Sequence, residues 1–190
     1  LGKAGFDVLS VQSLILTESN CNAKAQGEAG NPYCGLMQIS CNQNPGCPST
    51  YGLYGQMLDR FDPAQNIACG VEHLNTKLVK VSAAASQKGI EGSYVLPLTV
   101  FAYNRGEDAA ANAMDFLKKG NSLHDAMYNG CMALDKTKNP WVSERMCGSG
   151  GFWQPGQKDT SALGARYAEK IMYYYKKACA EAGGTWQSSA

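Results

Sequence analysis

Eight cysteines, Cys21, Cys34, Cys41, Cys47, Cys69, Cys131, Cys147 and Cys179, are spread over 190 residues with no two at C-x-x-C spacing. Zinc sites and thioredoxin-type redox centres lean on close pairs of that kind, so the pattern argues against both and for disulfides formed in an oxidising compartment. An even count allows four bridges, with the pairing left open. Cys34, Cys41 and Cys47 fall in a stretch from Asn20 to Gly55 that is rich in Asn, Gly and Pro and has little apolar surface to pack. Covalent staples have a structural purpose there. The expected location is secreted or periplasmic.

Apolar residues make up 44% of the chain, enough for one domain over 1–190 to bury a core, with a Cys/Trp-rich insertion at about 131–160. Lys and Arg number 17 against 16 Asp and Glu, a net charge of +1. Such a balance gives no long-range field to gather a polyanion, and nucleic acid is not an expected partner. The longest nearly apolar run, Tyr94 to Tyr103, is too short to span a bilayer and contains Pro97. The chain opens at Leu1 with neither Met nor a charged region followed by an apolar one, and the expectation is that a signal peptide has been removed or is left out of this sequence. His73 and His124 have no Cys or His at ligand spacing, so solvated or capping roles are expected, with no metal and no cofactor.

The pattern along the chain is helical. Asp7 can cap a helix carrying Leu9, Val11, Leu14, Ile15 and Leu16 and ending near Thr17 and Glu18. Loop follows to Gly55, with Gly35 to Ile39 buried and room for a short hairpin. Asp62-Pro63 suits an N-cap and first helical position, opening a helix through Ile67, Val71, Leu74 and Leu78. Residues 82 to 92 are small and polar and read as a connection. A helix to Tyr103 comes next, closed by the turn Asn104-Arg105-Gly106, then an Ala-rich helix from Glu107 to Lys119, then one opened by Ser122 and Asp125 that reaches about Leu134. Residues 135 to 160 show no helical period, and Ser161 to Ala182 form the last helix. The fold is expected to be mainly α.

Glu18 is a carboxylate at the end of an apolar helix, and burial of that kind raises a carboxyl pKa toward the range a general acid needs. Alone, such a residue is usually a solvated surface charge. Its company changes that. Glu18-Ser19 is followed by Gly35-Leu36-Met37-Gln38-Ile39, then Phe61-Asp62-Pro63-Ala64-Gln65-Asn66-Ile67 with Gly70 and Leu74, then Phe101-Ala102-Tyr103-Asn104-Arg105-Gly106. In that order these elements closely resemble the signature segments of the soluble lytic transglycosylase family, whose lysozyme-like fold is shared with goose-type lysozymes. Arg166-Tyr167-Ala168-Glu169-Lys170-Ile171 is similar to that family's Tyr-containing terminal helix.

The resemblance implies a lysozyme-like domain with disulfide-stapled loops, acting on the glycan strands of peptidoglycan. It implies Glu18 as catalytic acid and base, with Ser19, Met37, Gln38, Ser40, Phe101, Tyr103, Asn104 and Tyr167 binding substrate. The expected reaction is cleavage of the β-1,4 bond between N-acetylmuramic acid and N-acetylglucosamine, leaving a 1,6-anhydro end. Two departures mark the pocket: Ser40-Cys41 stand where the family often has Met-Pro, and Gly27 where it has a Ser.

The segment Gly27-Glu28-Ala29-Gly30-Asn31 resembles the goose-type stretch that carries a second acid. A hydrolytic muramidase using Glu18, Glu28 and water is therefore the alternative. A binding module without catalysis is a rival from another class, and retention of Glu18 weighs against it. A further reading adds a protein partner: an antibacterial effector or a cell-wall-opening component of a secretion machine, restrained by an inhibitor or immunity protein. Trp141, Phe152 and Trp153 of the insertion are expected to pack rather than to stack on sugar, and Tyr173-Tyr174-Tyr175 to serve core and interface.

Overall fold

The computed structural model describes residues 6–26, 33–40, 61–148, 153–156 and 164–182. Two compact units divide the chain, Leu1–Thr76 and Lys77–Ala190. Among the described residues no helix is long and apolar enough to cross a membrane.

In the first unit, helix α1 (Val8–Ser19) starts where Asp7 Oδ1 accepts the Ser10 N–H at 2.8 Å. Its buried face is more polar than the sequence suggests: Ser10, Ser13 and Ser19 join Leu14 and Ile15. Each of these hydroxyls has a backbone partner. Ser10 donates to Asp7 O, Ser13 to Leu9 O and Ser19 to Ile15 O, so no polar group is orphaned by burial. The helix stops at Asn20, whose backbone is left-handed (φ 51°, ψ 40°) and whose N–H reaches Leu16 O. Strands β1 (Tyr33–Cys34) and β2 (Ile39–Ser40) pair antiparallel, with Tyr33 opposite Ser40 and Cys34 opposite Ile39.

Helix α2 (Pro63–Lys88) opens as expected, with Asp62 Oδ1 accepting the Gln65 N–H at 2.8 Å. It runs past the division of the units and ten residues beyond Leu78. The connection read at 82–92 is thus helical as far as Lys88. Ser82-Ala83-Ala84-Ala85-Ser86 looks like linker, but Ala has the highest intrinsic helix propensity, and Val81 and Ala85 share a buried face at i, i+4. The end is set by Gly89 (φ 64°), where the Ile90 N–H bonds Ala85 O and the Gly89 N–H bonds Ser86 O.

After a 3-10 turn at Gly92–Tyr94, the second unit continues with α3 (Val95–Arg105), α4 (Glu107–Lys118), α5 (Leu123–Met132), α6 (Glu144–Cys147) and α7 (Ala165–Glu181). Helix α3 lies against α4, α5 and α7 and contributes the fully buried Leu98 and Phe101 to a core with Met114, Met127 and Ile171. Helices α4 and α5 meet at backbone distance. A Cβ on Gly130 would fall 2.5 Å from Ala113 N and 2.6 Å from Ala109 O, so glycine is required for that approach. Ser122 caps α5 by accepting the Asp125 N–H. The short α6 interrupts the segment read as wholly non-helical, and of the last helix the structure describes Ala165 onward.

The four-bridge expectation does not hold. Cys131 is bonded to Cys147, and Cys34 and Cys69 are in disulfides, but Cys21 and Cys179 are free thiols. Cys21 is exposed in left-handed backbone just past α1 (φ 61°), and Cys179 is half-exposed on α7. An even count permits complete pairing without enforcing it. Cys41, Cys47, Glu28 and Phe152 lie outside the described residues.

Candidate active site

Glu18 sits half-buried on the last turn of α1. Two successive left-handed residues, Asn20 and Cys21, turn the chain away immediately afterwards and fix where that turn ends. Ser19 beside it is buried and uses its hydroxyl hydrogen on Ile15 O at 3.0 Å.

The β1–β2 turn presents Gln38. Gly35 and Gln38 both take positive φ, 77° and 48°, and Gln38 Nε2 donates to Gly35 O at 2.9 Å. Its amide oxygen is left as an acceptor. The turn is bolted to α2 by Asn66, a fully buried residue that sequence reading did not single out as part of the site. Asn66 Oδ1 accepts the Met37 N–H at 2.8 Å, and its Nδ2 donates to Cys34 O at 3.2 Å. One turn on, a Cβ at Gly70 would sit 2.5 Å from Met37 Sδ and 2.6 Å from Met37 Cβ, so glycine lets the turn settle on the helix. Asn66, Gly70 and Leu74 recur every four residues on the buried face, and a polar residue in that row was the available signal. Met37 itself has no exposed surface; Ser40 closes β2.

In the second unit, the end of α3 carries Tyr103 and Asn104, both half-buried, above the fully buried Phe101. Tyr167 lies 2% exposed on α7, which packs on α3. Asn104 Oδ1 accepts the Gly164 N–H at 3.3 Å, and the Arg105 guanidinium lies over Trp141, 5.2 Å from the ring centroid. Of the insertion aromatics, Trp153 packs as expected, while Trp141 is half-exposed beneath the Arg105 guanidinium. Trp153 is buried against Tyr173 and Tyr174, with centroids at 5.2 and 6.0 Å.

His124 departs from its expected solvated or capping role. It is buried on α5, and its Nδ1 lies 2.7 Å from Glu169 Oε1, while Glu169 Oε2 accepts the Trp153 N–H at 2.8 Å. The hydrogen bond to Glu169 pushes the imidazole pKa up, against the opposing effect of burial. The partners are 45 residues apart in sequence, beyond the reach of any local pattern.

The described residues are mainly helical, consistent with a lysozyme-like domain. The transglycosylase SLT domain family matches residues 3–123, and the chain belongs to that family: it is a peptidoglycan-cleaving enzyme of the lytic transglycosylase type. No curated protein and no solved structure matches it.

Proposed function

We propose that this chain cuts the β-1,4 bond between N-acetylmuramic acid and N-acetylglucosamine without consuming water, using Glu18 alone as acid and base. The observation that carries the reading is the position of Glu18, half-buried on a rigidly terminated helix inside the segment that matches the family. The match runs through residues of both compact units, which supports one catalytic domain.

Glu18 donates its proton to the bridging oxygen, the glycosidic bond breaks, and the muramic acid ring develops oxocarbenium character. The muramic acid C6 hydroxyl then attacks C1, its proton returns to the Glu18 carboxylate, and a 1,6-anhydro end forms. The tether of that hydroxyl to the reacting sugar supplies the effective concentration that a bound water would otherwise need help to reach. Gln38 and Asn104 offer amide groups for acetamido and hydroxyl groups, and Tyr103 offers a phenol. Disulfides at Cys34, Cys69 and Cys131–Cys147 support work in an oxidising, secreted or periplasmic setting.

The test is Glu18→Gln on purified cell walls with mass analysis of the released muropeptides. We expect a folded variant with activity reduced by about 10²–10⁴-fold, and parent products one water lighter than hydrolytic ones. Retained activity in Glu18→Gln removes the assignment. Heavier products that also require Glu28 move the enzyme to the hydrolytic muramidase.

A further inference from the structure

Two consecutive residues at the end of α3 are gripped around one disulfide: Arg105 by Trp141 inside the Cys131–Cys147 loop, and Asn104 by Gly164, which packs on Cys147. Asn104 accepts a hydrogen bond from the Gly164 backbone, and Arg105 lies over Trp141. Gly164 in turn is pressed onto Cys147: a Cβ there would come 2.2 Å from Cys147 O and 2.8 Å from Cys147 Cα, at φ 55° and ψ −122°, a conformation only glycine adopts readily. Cys147 ends α6 and is bonded to Cys131 on α5. The contacts therefore run unbroken from the α5 disulfide through Cys147 and Gly164 to the Asn104 carboxamide.

That contact also fixes what Asn104 can do. A backbone N–H can only donate, so the carboxamide oxygen must face Gly164, and the amide nitrogen with its two hydrogens is left for an acceptor. Without the clamp the group could rotate and present either atom.

We propose that the Cys131–Cys147 disulfide loop, together with Gly164 packed on Cys147, is a positioning element for glycan binding, which sets Asn104 as a hydrogen-bond donor to an acceptor oxygen of an N-acetylated sugar and holds Arg105 through Trp141. Trp141, Gly164 and the disulfide are positioning residues; none of them needs to touch substrate. The proposal rests on the reading that Asn104 contacts the glycan. It makes glycan affinity depend on an oxidised disulfide, so that the enzyme becomes fully competent only where that bridge can form.

The experiment compares kcat and KM on soluble glycan strands for the parent, Trp141→Ala, Trp141→Phe, Asn104→Asp and the double variant Cys131→Ser/Cys147→Ser, with melting temperature measured for each. Misplacing a substrate-binding group by a fraction of an ångström weakens binding of the sugar, so KM should rise about tenfold or more in Trp141→Ala and in the disulfide variant while kcat stays within about threefold. Trp141→Phe keeps a ring face for the guanidinium and should restore most of the parent KM. Asn104→Asp keeps the oxygen that meets Gly164 but loses the donor, and should show the same rise in KM with little change in melting temperature.

A purely structural role would lower the fraction of folded enzyme, which depresses apparent kcat and leaves KM alone. That outcome overturns the proposal, as does a Trp141→Ala variant with parent KM. If the disulfide variant does not fold, the Trp141 pair still decides. Loss of activity in Glu18→Gln alongside an unchanged KM in Trp141→Ala would refute this inference alone, whereas an active Glu18→Gln would refute the catalytic reading beneath it.

Discussion

Asn66 holds Met37: a side-chain oxygen on α2 meets the backbone N–H of the β1–β2 turn at 2.8 Å, with both residues fully buried. The nitrogen of the same carboxamide meets Cys34 O. One side chain thus satisfies two buried backbone groups of the turn, and it does so next to Gln38.

Replacing Asn66 by Ala leaves a buried N–H and a buried C=O without their partner. The expected loss is about 2–6 kcal/mol, because each of the two groups costs about 1–3 kcal/mol when its bond is lost. Asn66→Asp keeps the acceptor for Met37 but removes the donor to Cys34 and buries a charge, so it should do no better. Denaturant unfolding at neutral pH measures both. A loss below about 0.5 kcal/mol in either variant would show that the turn is held by something else.

How far the sequence alone reached depended on range. Asp7, Asp62 and Ser122 announce helix starts because capping is chemistry between residues three apart, and all three cap in the structure. The extension of α2 to Lys88 was missed because its Ala-rich turn is neutral in pattern, and its fate was decided by the burial of Val81 and Ala85. Glu18, Gln38, Tyr103 and Asn104 stood out through their resemblance to known segments. Asn66, the His124–Glu169 pair and the grip of Gly164 on Asn104 join positions 29 to 60 residues apart, which no local period encodes. Cysteine parity, likewise, counts sulfurs but not geometry.

The free thiols give a direct chemical reading. Cys21 is exposed and Cys179 half-exposed, so brief alkylation of the native protein should label Cys21 first and Cys179 more slowly. Peptide mapping identifies the sites, and Cys21→Ser should remove the fast phase. No label at Cys21 in native, unreduced protein would mean that its sulfur is bonded after all.

Glu107 opens α4 and receives Lys77 and Lys80, each at 2.8 Å. Burial pushes its pKa up, but the hydrogen bonds from the two lysines outweigh burial and bring it down to about 2. A depressed carboxyl stabilises the fold fully above its unfolded value, near 4.3, and that contribution disappears as pH falls toward the folded value. Glu107→Gln should therefore cost about 1 kcal/mol near neutrality and approach zero cost toward pH 2. Lys77 is the more buried partner, with 12% of its side chain exposed against 60% for Lys80, so Lys77→Met should cost more than Lys80→Met.

The His124–Glu169 pair runs in the opposite sense. Its hydrogen bond to Glu169 raises the His124 pKa; burial works against this, the charges of Glu169 and Asp125 add to it, and Arg166 opposes it. A raised imidazole contributes stability that is complete below the unfolded value, about 6.5, and is lost as pH climbs through the higher folded value. The neutral ring can still donate from Nδ1, so what disappears is the charge and not the bond. Glu169→Gln keeps an oxygen for one partner but removes the charge, and should bring the His124 midpoint down, read by proton NMR of the imidazole. The parent should exceed Glu169→Gln in stability by about 1–3 kcal/mol at pH near 6, with the gap narrowing above the folded midpoint. Because Glu169 Oε2 also accepts the Trp153 N–H, the same variant should loosen Trp153 from Tyr173 and Tyr174 and shift its fluorescence. A His124 midpoint unchanged by Glu169→Gln would rule out the charged Glu169 carboxylate as the cause, and a stability gap that widens with rising pH would reverse the sign of the linkage.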